Sequence, residues 1–119
     1  MKFVLAEDYT YWWPVTVHIP DPDKPGNTLS QNFEARFKAV PSERLRELEK
    51  SEVGGSKAES IEALIREALI DWRDVEAEGG DDIPFSPDAL TGALRFSFFQ
   101  VGVFAALIES AQGGAAQKN

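Results

Sequence analysis

The clearest alternation of apolar and polar positions runs from Leu29 to Val40. Phe33, Ala35, Phe37 and Ala39 fall on one face, and Glu34, Arg36 and Lys38 on the other. A period of two with one apolar face predicts a strand of a sheet wet on one side and buried on the other. Trp12 to Ile19 repeats the pattern, with Trp13, Val15, Val17 and Ile19 set against Trp12, Thr16 and His18. Pro14 within it argues for an edge strand. Between them Pro20 to Thr28 is rich in proline, with Gly26 and Asn27, and reads as a loop. The two strands therefore predict an antiparallel hairpin whose apolar face needs a cover. Phe3 to Ala6 is a candidate for one further short strand.

Downstream the period changes. Pro41 to Glu52 predicts a short charged helix with Leu45 and Leu48 as its contacts, ended by Val53-Gly54-Gly55. Ser56 with Glu59 makes a capping box. Ile61, Leu64, Ile65, Ala68, Leu69 and Trp72 then follow helical spacing without a miss, and Glu62 and Arg66 form an i,i+4 pair on the outer face. Asp71-Trp72 closes this helix before an acidic turn at Gly79-Gly80. Ile83 and Phe85 flank Pro84 and pin the connection to the core. Ser86-Pro87-Asp88 starts another helix: a hydroxyl cap, a proline where no N–H is needed, and a carboxylate at the positive end.

The last helix is expected to run from Pro87 to about Ala111 with two apolar stripes. Leu90, Leu94, Val101, Phe104 and Ile108 form the first, with Phe98 and Ala105 at its edge. Phe96, Phe99, Val103 and Leu107 form the second, roughly opposite. Thr91, Arg95 and Glu109 make a polar wedge between them. A helix apolar nearly all round is central in a core or lies at an interface, and a small domain has little core in which to surround it. The second stripe is thus the candidate partner-binding surface, with core and interface both open. Gly102 signals a kink or a close approach, and Phe96 to Phe104 has an alternative as an extended segment. The expected core comprises Phe33, Phe37, Ile61, Ile65, Leu69, Trp72, Leu90 and Leu94. The fold class is α+β: an N-terminal antiparallel hairpin or three-stranded sheet packed against three C-terminal helices. Residues 1–111 form one domain, and residues 112–119 a polar, disordered tail.

Composition narrows the function. Hydrophobic residues make up 43% of the chain, enough for a packed core. The net charge of −8 opposes nucleic acid and anionic membranes, and favours solubility for a protein that carries exposed apolar surface. There is no cysteine, so disulfides and thiolate metal sites are excluded and a reducing cytoplasm is the natural setting. The apolar start before Glu7-Asp8 is too short for a signal peptide.

Candidate chemistry is sparse. His18 is the single histidine, placed on the water-facing side of its strand with no nucleophile or orienting partner nearby in sequence. The acids Asp71, Asp74, Glu76, Glu78, Asp81 and Asp82 lack the spacing of a calcium loop. Gly54-Gly55-Ser56-Lys57 ends like a phosphate-binding loop but lacks its first glycine and a preceding strand. Of the adjacent Trp12 and Trp13, one must point away from the core, next to Tyr11, as an exposed contact or a stack on a neighbouring loop. No cofactor, metal site or catalytic residue is expected.

Three features resemble the tail assembly chaperones of tailed phages. They are the Asp71-Trp72 ending before the acidic Gly turn; the segment Ile83-Pro84-Phe85-Ser86-Pro87-Asp88-Ala89-Leu90 at the start of the last helix; and a small chain with an N-terminal β portion and a tail ending in Lys118-Asn119. The likeness covers roughly residues 30–119 and leaves the loop from Pro20 to Thr28 unmatched. It implies a non-catalytic cytoplasmic helper, of a phage or prophage, that keeps the apolar helical tape-measure protein soluble until the tail tube polymerises. It also implies a longer, frameshifted form that recruits tail-tube protein. Gln117-Lys118-Asn119 can be encoded CAA AAA AAC, which contains a slippery A AAA AAC heptamer; an ordinary polar tail is the alternative. Self-association is compatible with the same stripe. Two other readings compete: a structural tail component, such as a tail-end or connector subunit, and an acidic inhibitor that mimics nucleic acid.

Overall fold

A computed structural model describes residues 1–50 and 54–113, leaving out the side chains of residues 49, 50 and 54–58. Its elements in order are β1 (Thr10–Pro20), β2 (Thr28–Lys38), α1 (Ser42–Lys50), α2 (Gly54–Ala68), β3 (Leu69–Arg73), α3 (Pro87–Leu94) and α4 (Ser97–Ala111). The strands form one antiparallel sheet in the order β1-β2-β3, and the helices cover its inner face: an α+β fold.

The hairpin follows from alternation. Val15, Val17, Phe33, Ala35 and Phe37 are buried on the inner face. Register pairs Thr10 with Lys38 and Pro20 with Thr28. Pro14 lies opposite Glu34 within this ladder. Its missing N–H is harmless only if it faces away from β2, which fits β1 being an edge strand. On the outer face Trp12 lies under two guanidinium groups, with Arg73 at 4.1 Å and Arg36 at 5.6 Å from the ring centroid. Glu34 pairs with Arg73 at 2.6 Å. Trp12 is thus the outward tryptophan, covered by its own sheet. Trp13 points inward and donates from Nε1 to Glu109 Oε1 at 3.0 Å. His18 is exposed on the outer face, with Nδ1 3.2 Å from Ser30 Oγ.

Two helical expectations give way. The helix expected to reach Trp72 ends at Ala68, and β3 follows it directly. Leu69 and Trp72 are buried as expected, but as strand residues. Pairing slips at Arg36/Phe37, so that Arg36 faces Asp71 while Phe37 faces Leu69. This bulge places two exposed residues, Ile70 and Asp71, between two buried ones, a spacing that imitates a helix. The single last helix is two, α3 and α4, bent by 109°. The sheet is thus three-stranded, and four helices are found among the described residues instead of three.

Other local signals hold. Ser86 Oγ accepts from the Ala89 N–H at 3.0 Å, with Pro87 in the first turn of α3. Trp72 Nε1 donates to the Ile83 carbonyl at 2.8 Å, and Phe85 meets the Trp72 ring edge-on at 5.1 Å. Arg66 pairs with Glu62 at 3.1 Å. Leu48 of α1 is buried and Leu45 half-buried; Ile61 packs half-buried against the core. Gly80 takes a positive φ in the acidic turn, which Glu76 and Asp82 close by a β-bridge. α2 starts at Gly54, ahead of the expected cap. The Ser56 side chain, residues 51–53, where the first helix was expected to end, and the tail at residues 114–119 lie outside the described residues. Phe3 to Ala6 forms no strand: residues 1–9 are exposed and irregular ahead of β1. No single helix among the described residues is long and apolar enough to cross a membrane.

Candidate interaction surface at the α3–α4 corner

The break between α3 and α4 decides what is exposed. Phe96 takes an extended conformation, φ −108° and ψ 125°, and caps α4 without a side-chain hydrogen bond. Gln100 Nε2 donates to the Leu94 carbonyl at 2.7 Å and so satisfies the end of α3. The bend resets the helical phase, so stripes counted along one continuous helix do not continue through it.

The candidate residues therefore divide. Val103 and Leu107 are fully buried, within the core that α4 forms against β1, and are not surface contacts. Phe99 is half-buried, stacked on Phe33 at 5.8 Å with Trp72 edge-on at 6.3 Å. Phe96 alone of the four is open to solvent, 51% exposed. The other stripe divides as well. Leu90 and Leu94 are buried as expected, Phe104 and Ile108 are half-buried, and Val101 is 67% exposed. Phe98 stacks on Phe96 at 5.4 Å, and the two rings stand as a ridge at the corner.

Gly102 explains which side of α4 faces inward. A Cβ at this position would lie 2.7 Å from the Thr16 carbonyl oxygen and 3.1 Å from Val17 Cγ2. Only glycine lets the helix approach the backbone of β1 this closely. The close approach was the correct alternative for Gly102, and with Ala106 it forms the small-residue side that fits under the sheet edge. This small side, flanked by Val103 and Leu107, was the sequence signal for the buried face.

Two grooves flank the aromatic ridge. The first, roughly 590 Å³, has a floor of Val17, Ile19, Phe33 and Phe99, the ridge on one side, and the segment Asp74–Glu78 on the other. Asp74, Glu76 and Glu78 give this wall three carboxylates, and no basic residue among the described residues lines the groove. None of the three makes an ion pair among the described residues. Asp74 has a left-handed backbone, φ 68°, which turns the chain away from β2 after Arg73. The second groove, roughly 660 Å³, lies between the outer edge of β1 and α4, lined by Pro14, Thr16, His18, Phe98, Val101 and Ala105. Phe98 belongs to both grooves. The arrangement offers apolar contact, charge and backbone edges: the means of binding a polypeptide.

No family model matches the chain, and no curated protein or solved structure matches it.

Proposed function

We propose that the chain is a tail assembly chaperone of a tailed phage or prophage, non-catalytic, which binds the tape-measure protein and keeps it soluble during assembly in the host cytoplasm. The observation that carries this reading is the exposed ridge of Phe96 and Phe98 with Val101 beside it, on a molecule of net charge −8. An amphipathic helix presents apolar side chains at i, i+3 and i+4, and an apolar groove beside a ridge receives them. The second groove, with Val101 and Ala105 along α4, has this form. Negative charge elsewhere keeps a complex with an apolar partner in solution. The resemblance around Asp71-Trp72 and Ile83–Leu90 supports the same reading. On that reading a longer frameshifted form recruits tail-tube protein.

The test is co-expression with the tape-measure protein encoded beside it. The tape-measure protein is expected in the soluble fraction with the wild-type chain and in the pellet with Phe98→Asp/Val101→Asp. Both residues are exposed, so the variant keeps its fold. A double variant that still solubilises the tape-measure protein would remove the ridge from the proposal; a wild-type chain that never does would remove the function.

A further inference from the structure

We propose that residues 2–6 of one copy dock as an added strand on the free edge of β2 in a second copy, lodging apolar side chains in the first groove.

The edge is defined by backbone alternation. Pro14 and Glu34 are opposite residues that turn their backbones away from each other, and Glu34 pairs on its other side with Arg73 of β3. By the same parity Asn32, Ser30 and Thr28 also direct their N–H and C=O groups away from β1. β3 pairs only with Glu34 to Phe37, and Asp74 then leads the chain off. Among the described residues Asn32, Ser30 and Thr28 make no backbone hydrogen bond outside the hairpin. A sheet edge left open beside an apolar floor is a template for a further strand.

The donor is on the same chain. Lys2-Phe3-Val4-Leu5-Ala6 has the β-forming apolar character of a strand, yet pairs with no strand among the described residues; Phe3 is 88% exposed and Leu5 87%. Three consecutive large apolar residues ensure that either parity sends at least one toward Phe33 and Phe99. Lys2 supplies a cation to face the wall of Asp74, Glu76 and Glu78, which pair with no cation among the described residues. Reach selects a second copy over the chain's own edge. Thr10 pairs with Lys38 and His18 with Ser30, so the start of β1 and the middle of the free edge are eight strand residues apart, about 27 Å. The seven residues from Phe3 to Thr10 span at most about 25 Å fully extended. Leu5, five residues from Thr10, reaches at most about 18 Å and falls short even of Asn32, six strand residues along at about 20 Å, so residues 2–6 cannot lie along the free edge of their own copy.

Sedimentation of the full chain over a concentration series tests this. Wild-type protein is expected to associate, and both Phe3→Asp/Leu5→Asp and Asn32→Pro to weaken association at least tenfold. Asn32→Pro removes a free-edge N–H; if circular dichroism shows it unfolded, Glu76→Lys/Glu78→Lys on the exposed wall replaces it. Mixing the arm variant with the edge variant should restore a one-armed dimer, since each supplies what the other lacks. Wild-type protein that stays monomeric up to about 1 mM, an arm variant that associates like wild type, or a mixture that stays monomeric would overturn the proposal.

Discussion

Gly102 and Trp72 each concentrate a packing decision in one residue. Gly102→Ala sets a Cβ 2.7 Å from a backbone oxygen that has no flexible end to yield. The substitution should destabilise by about 1–3 kcal/mol, as overpacking does. Gly92 lies in α3 with nothing within 4 Å of its added Cβ, so Gly92→Ala should stabilise by about 0.5–1 kcal/mol through helix propensity alone. Urea denaturation of the pair gives opposite signs if α4 sits against β1 as described; the same sign would mean that it does not. Trp72→Ala removes a buried ring and the donor to the Ile83 carbonyl, and should cost about 3–5 kcal/mol. A change within error would place Trp72 outside the core.

The elements that alternate or are capped were legible in the sequence, and those whose phase is broken were not. β1 and β2 were visible because Phe33, Ala35 and Phe37 repeat every second residue with charged neighbours. The start of α3 was visible because Ser86 and Pro87 carry their own local signals. β3 was hidden because the bulge opposite Arg36/Phe37 gives Leu69 and Trp72 a helical separation. The candidate stripe was split for a related reason: it was counted through Arg95-Phe96, where the chain bends by 109°. Phe96 stayed on the surface, while Val103 and Leu107 turned inward. Phe98 and Val101, assigned to the opposite stripe, took their place in the open. Two double variants separate the sides of α4. Val103→Asp/Leu107→Asp buries two unpaired carboxylates and should abolish cooperative unfolding. Phe96→Asp/Val101→Asp should leave the thermal midpoint within a few degrees of wild type, since surface changes stay within about 0.5 kcal/mol. If the second pair unfolded the protein, the ridge would be core.

At the scale of the molecule, charge and exposed apolar surface act against each other. Phe96, Phe98 and Val101 at the corner, and Phe3, Val4 and Leu5 on the arm, favour association, and a net charge of −8 opposes it. That charge vanishes near the sequence pI of about 4.6. Solubility should therefore fall steeply as pH drops from 7 toward that value, and a variant with aspartates at Phe98 and Val101 should precipitate less. Turbidity across the pH range measures this, and equal turbidity of the two proteins would mean that the ridge is not the sticky surface.

The bonds from Trp13 to Glu109 and from Tyr11 to Ser110 join positions 96 and 99 residues apart. β1 therefore leaves the ribosome well before α4, the helix that shelters it. A hairpin can close within microseconds, but Val15 and Val17 stay bare until α4 has been synthesised. Contacts of this separation form late and make folding slow. A nascent chain stalled before Ser97 has a paired sheet whose apolar side is still uncovered along β1, a form prone to aggregation during synthesis.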